Sequence, residues 1–130
     1  MDFEKNVTML LKKCDIREQL KELSKKDITI YIDRPLGSTH HKYSNIIYPI
    51  NYGYIKEIMA LDNEYHDAYL LGVNKPVKEY IGKIYALIIR EDDIEDKLII
   101  VSDNKEYTIE ELEKEVYFQE QYFKHKIIKF

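Results

Sequence analysis

The sequence predicts an α+β, mostly β fold: a small antiparallel β-barrel or curled sheet with helices at both chain ends. Apolar residues recur at helical spacing only near the two ends of the chain. Between them lie short runs rich in Ile, Val, Leu and Tyr, separated by turn signals. At 130 residues, 45% apolar and 34% charged, the chain is expected to form one soluble globular domain that buries a core without staples. Its expected divisions are an N-terminal helical extension over 1–25 and a barrel plus C-terminal helix over 27–130.

The elements follow in order. Residues 2–25 carry Phe3, Val7, Leu10, Leu11 and Cys14 at helical spacing, continued by Ile16, Leu20 and Leu23, with Asp15 as a dividing point between two helices. "DITIYIDRP" alternates Ile28, Ile30 and Ile32 with more polar residues and reads as a strand. Pro35 and Gly37 end it, and "GSTHHKYSN" follows as a loop. Further strands are predicted at 47–55, 66–73, 80–90 and 96–102, broken at Asn74–Pro76, at "REDDIED" and at Ser102–Lys105. Gly53 marks a bend or a close backbone approach, and Tyr69, Tyr80 and Tyr85 read as packing residues. Thr108 and Glu111 form a capping box for a helix that continues through Leu112, Val116 and Tyr122. "KHKIIKF" is a short final strand.

Composition narrows the function. No apolar run approaches the roughly 18–20 residues that span a membrane, and the charged N-terminus is unlike a signal peptide, so a cytoplasmic protein with no membrane partner is expected. One cysteine, Cys14, excludes an internal disulfide and a cysteine zinc cluster; it reads as a small apolar residue on a helix face. A net charge of −4 argues against nucleic acid as a partner, while leaving room for a small anion at a locally basic or metal-bearing site.

The stretch "YPINYGYIKEIMALDNEYHD" carries the chemistry. Asp62, Glu64 and Asp67 stand at i, i+2 and i+5, a spacing that groups them only where a turn leads into a strand. Such oxygens are either a charged turn or ligands for Mg²⁺, a hard cation that keeps several waters. "REDDIEDKL" offers Glu91, Asp92, Asp93, Glu95 and Asp96 ahead of Lys97, as a solvated hairpin tip or a second acidic group near the first. Two acidic groups, Lys42, Lys97 and clustered tyrosines suit phosphoryl chemistry.

"YPINYGYI", then Asp62-x-Glu64-x-x-Asp67 and Glu95-x-Lys97, resemble the soluble family I inorganic pyrophosphatases, over roughly Ile28 to Tyr122. The resemblance implies a five-stranded OB-like barrel with peripheral helices, and Mg²⁺-dependent hydrolysis of pyrophosphate to two phosphates, with Mn²⁺ as an alternative to Mg²⁺. It places Asp62 and Asp67 on metal-binding carboxylates, Glu95 and Asp92 in the second metal group, and Glu64 on the acid that activates the attacking water. It places Lys42 and Lys97 on phosphate-binding lysines and Tyr48, Tyr52 and Tyr122 on tyrosines of the site, Tyr52 counted with Glu64 as catalytic. Asp33 falls near an acidic position of the first barrel strand. The family assembles, so a homo-oligomer is compatible with the resemblance, although the N-terminal extension could cover or replace an interface.

The departures are specific. Glu64 replaces an aspartate, moving a carboxylate outward by about 1.5 Å, a displacement large enough to affect rate. Only "SNII" separates Tyr43 from Tyr48, so a phosphate-binding arginine of the family has no counterpart there; Arg34 and Arg90 are the candidates to replace it. Glu91 and Asp92 compete for one ligand position, and Phe123 stands where the family has lysine, with Lys124 one position later. Two functions remain: a hydrolase of pyrophosphate or a related phosphoanhydride, and a catalytically weak metal- or phosphate-binding module. An OB-like nucleic-acid binder lacks the basic aromatic face it would need.

Overall fold

In the computed structural model, which describes residues 3–91, 95–102 and 105–130, a single helix α1 (Phe3–Leu23) opens the chain. Asp15 does not divide it, because its carboxylate accepts from Gln19 one turn later (3.2 Å). Leu20 is fully buried, and Ile16 and Leu23 pack against the barrel core, whereas Cys14 is exposed rather than packed. Lys13 and Arg17 both reach the buried Asp96, at 3.3 and 3.1 Å, and fix the helix to the barrel by charge as well as apolar contact.

The strands are β1 (Ile28–Arg34), β2 (Asn51–Met59), β3 (Tyr65–Leu71), β4 (Glu79–Arg90), β5 (Lys97–Val101) and β6 (His125–Lys129). They pair in the order β1-β2-β3-β5-β4-β6, and β1 also pairs β4, closing a five-stranded barrel with β6 as an extra strand. The sheet is mixed rather than antiparallel throughout, since β3 runs parallel to β5. β4 closes the barrel by pairing β5 through residues 83–88 and β1 through residues 79–82, and its length leaves residues 86–90 to carry β6. β2 begins at Asn51, later than the expected residue 47, because 38–48 form a small hairpin of their own. That hairpin is tied by the Thr39–Ile47 bridge and by Tyr48 N donating to Ser38 O (2.8 Å).

Two apolar clusters follow from strand alternation. Ala68 and Leu70 of β3, Leu98 and Ile100 of β5, and Ile84, Leu87 and Ile89 of β4 fill the barrel interior with Leu20. The alternate residues Tyr69, Leu71, Ile99, Val101, Ala86 and Ile88 form an outer face covered by Leu112 and Val116 of α2 (Ile109–Glu120). β5 is buried on both sides, which explains its unbroken "LIIV". Gly53 is required by close approach: a Cβ there would lie 1.8 Å from the Tyr31 carbonyl oxygen on β1.

The capping box is present, with Thr108 Oγ1 accepting from Glu111 N and Glu111 Oε1 accepting from Thr108 N. Tyr122 does not continue the helical stripe. It lies in the turn after α2, and Glu120 takes the third buried position after Leu112 and Val116. Tyr80 and Tyr85 pack against the two clusters as predicted. Among the described residues, no helix is long and apolar enough to cross a membrane.

Candidate functional site

The face that α2 covers continues past the helix, and the two-residue period of the strands decides what it presents there. On β3, Asp67 follows the parity of Tyr69 and Leu71; on β5, Lys97 follows Ile99 and Val101; on β4, Arg90 follows Ala86 and Ile88. Tyr52 of β2 packs on the same cluster. These four residues line a cavity of about 670 Å³. Asp33 and Arg34 at the end of β1, Gln119 of α2, and Tyr122 and Phe123 after it complete one side. The hairpin supplies the other side through residues 40–43, Asn45 and Ile46, with the buried Tyr48 at its base.

Lys97 is buried, and its ammonium donates to Asp67 Oδ2 at 2.7 Å and to Glu95 Oε2 at 2.9 Å. Arg90, equally enclosed, forms a bidentate pair with the fully buried Glu120 (2.7 and 3.0 Å). Tyr69 Oη donates to the same carboxylate (2.6 Å), Gln119 donates to Tyr69 Oη (2.7 Å), and the Phe123 ring lies 3.7 Å from the guanidinium carbon. The lining therefore holds four cationic side chains, Arg34, Lys42, Arg90 and Lys97, against two carboxylates, Asp33 and Asp67. Glu120 balances Arg90, and Asp67 with Glu95 balance Lys97, which leaves Arg34 and Lys42 as the lining cations with no such carboxylate partner among the described residues.

Burial, and then the charge of Asp67, push the Tyr52 hydroxyl well above the ordinary phenol range, so at neutral pH it stays protonated. Burial raises Tyr48 in the same sense. The Asp33 carboxyl is also raised, first by burial, with Arg34 opposing and Asp67 adding to the shift. Mg²⁺ is commonly held by one or two carboxylates together with waters and substrate phosphates. Asp33 and Asp67 are the two carboxylates on the lining, and Asp67 is engaged by Lys97 at 2.7 Å. Among the described residues, no three His, Cys, Asp or Glu side chains gather into a fuller metal cage.

The predicted residues divide by position. Lys42, Tyr48, Tyr52, Asp67, Lys97 and Tyr122 all line the cavity. Glu95 reaches it through Lys97 and borders a small pocket beneath α1. Asp62 and Glu64 stand on the exposed β2–β3 turn, where Asp62 Oδ1 accepts from Glu64 N (3.0 Å) and Asn63 adopts φ 65°. Neither is among the cavity's lining residues. His66 points to the opposite face from Asp67 and is buried beside Lys13 and Asp96. Asp92 lies outside the described residues, as does Asp93; Glu91, the rival for the same role, sits at the end of β4.

Residues with no predicted site role also line the cavity: Gln119, Asn45, Ile46, His40 and His41. Glu120 had one sequence signal, an acid at i+4 from Val116 on an apolar stripe.

No protein-family profile matches the chain, and no curated protein sequence matches it significantly. Solved structures do match. The inorganic pyrophosphatase of Ehrlichia chaffeensis superposes with a TM-score of 0.62 at 16% identity, covering 80% of this chain and 86% of that one. The Coxiella burnetii inorganic pyrophosphatase gives 0.57 at 17%, covering 80% and 84%, and that of Thermus thermophilus 0.53 at 15%, covering 80% of each. The chain shares the inorganic pyrophosphatase fold.

Proposed function

We propose that the chain binds and hydrolyses a small phosphoanhydride, with inorganic pyrophosphate as the leading substrate. The observation that carries this is a cavity that gathers Lys97, Lys42 and Arg34 with Tyr52 and Asp67, on a fold shared with inorganic pyrophosphatases. Lys97, Lys42 and Arg34 would hold the phosphoryl oxygens, and Tyr52, kept protonated, would donate a hydrogen bond. Tyr48 and Tyr122 would flank the substrate. A water adds to one phosphorus as the bridging P–O bond breaks, and the departing phosphate leaves against the cations. The resemblance gives the proton of that water to Glu64, which from its exposed turn outside the lining would have to turn inward to take it. Asp67 with Asp33 would hold Mg²⁺ or Mn²⁺ from the lining; Asp62, Glu95 and Asp92 are the further ligands that the resemblance implies. A bound metal would neutralise phosphate charge and acidify a coordinated water.

A second reading, a phosphate-binding module without turnover, is favoured by the exposed position of Asp62 and Glu64. Release of phosphate from pyrophosphate with Mg²⁺ separates the two. Hydrolysis predicts metal-dependent release that Glu64→Gln lowers by about 10²-fold or more and Asp67→Asn abolishes. Pyrophosphate binding by calorimetry with no release above the Asp67→Asn background would leave the binding module. Absence of both would remove either reading.

A further inference from the structure

The phosphate-holding part of the cavity accounts for only some of its lining. A volume of about 670 Å³ exceeds what two phosphoryl groups need, and it falls among cavities that enclose ligands with an organic body, about 300–1,000 Å³. The lining is divided by chemistry. The buried side, from the strands, carries Lys97, Arg90 and Asp67; the exposed side, from the hairpin, carries rings and an amide.

Those rings form a column. His40 lies nearly parallel to Tyr48 (5.8 Å, 4°) and to His41 (4.7 Å, 18°), and Tyr43 adjoins it at 5.3 Å. The column runs from buried Tyr48 outward to His41 and to Tyr43, which is 54% exposed. Its geometry is held from below. His40 N donates to Ile46 O (2.8 Å), and His40 Nδ1 accepts from the backbone N–H groups of Lys42 and Tyr43 (3.0 and 3.2 Å). Those bonds fix the imidazole plane and put its proton on Nε2. Asn45, on the same wall, offers an amide donor and acceptor of the kind that reads a base edge. Lys42 lies between His41 and Tyr43 in the chain, so a cation and a stacking surface adjoin.

We propose that the ligand of this cavity carries a nucleobase: a nucleoside di- or triphosphate whose phosphates meet Lys97, Arg34 and Lys42 while its base stacks on the His41–Tyr43 end of the ring column. This rests on the phosphate-binding reading above and extends it to a substrate class. Phosphate oxygens choose the cations, and the planar base covers rings that the hairpin leaves exposed. Stacking on an aromatic side chain tolerates any base, so the preference is for nucleotides over bare polyphosphate.

Calorimetry with Mg²⁺ compares ATP with tripolyphosphate, and ADP with pyrophosphate, on wild type, His41→Ala, Tyr43→Ala and the double variant. The expected result is that each nucleotide binds about tenfold more tightly than its base-free partner, and that this ratio falls towards one in the double variant. Both substitutions are at exposed positions, and circular dichroism checks that the fold is kept. A ratio near one in the wild type, or a ratio the double variant preserves, overturns the nucleotide proposal while leaving pyrophosphate as ligand. Failure of tripolyphosphate, pyrophosphate and nucleotides alike to bind would instead remove the phosphate-binding reading beneath it.

Discussion

Glu120 occupies a helix position where leucine would be the ordinary choice, and it is held there by three donors, two from Arg90 and one from Tyr69. Removing one partner of such a pair leaves the other buried and uncompensated, so Glu120→Ala is expected to lower unfolding stability by about 3–5 kcal/mol in a urea titration. Glu120→Gln, which keeps the shape and one acceptor, should lose less. The partnership was hidden in the sequence because Arg90 and Glu120 are 30 residues apart and meet only once α2 docks on β4. Asn51 shows the opposite case. Its place in "YPINYGYI" marked it, and its fully buried amide accepts from Leu36 N and Val77 N and donates to Lys75 O, joining two loops to β2. Lys97 and Asp67 were legible as motif positions, yet the direct contact between them was not. Asp62 and Glu64 share that motif, but the local turn turns them to solvent, and only three-dimensional geometry distinguishes them from Asp67.

β3 presents Asp67 to the cavity and His66 to α1, and the second contact has a pH consequence. Burial lowers the His66 pKa, and its Nδ1 has no hydrogen-bond partner among the described residues. A folded pKa below the unfolded value means that the unfolded chain binds the extra proton, so stability rises with pH. The contribution is complete above the ordinary histidine value of about 6.5 and is lost as pH falls through it towards the lower folded value. Thermal melts are expected to show a decline in Tm below that pH, which His66→Leu flattens. At the other end, Thr108 initiates α2 through its reciprocal capping bonds, and Thr108→Ala is expected to cost about 1 kcal/mol of stability by denaturant unfolding. The cap was readable because its signal is local. The start of β2 was not, because "SNIIYPI" has strand-like composition while its backbone is spent on the hairpin. The parallel β3–β5 pairing was equally illegible, since apolar runs state burial and not direction.

The barrel's existence was readable from alternating and continuous apolar runs, whereas its closure depends on one long strand, β4, pairing both β5 and β1. α1 lies outside this closed unit and is held by Leu20 and by the two cations on Asp96. Asp96→Asn is expected to weaken the attachment of α1 by about 1.5–3 kcal/mol, read as faster amide exchange across residues 3–23. Amides of β3 and β5 should change far less. The hairpin has a different relation to the barrel. Its backbone is tied to itself at Gly37, Ser38 and Tyr48, and it contributes no strand to the closed sheet. Of the cations proposed to face phosphate, Lys97 and Arg34 reside on barrel strands, whereas Lys42 resides with the rings on this separate segment. Exchange of residues 39–47 for another hairpin can therefore redirect what the chain selects while the strand-borne charges persist. In evolutionary terms, ligand choice can be exchanged while the share of phosphate affinity carried by Lys97 and Arg34 is inherited intact, and the same division gives an engineer one short segment to diversify.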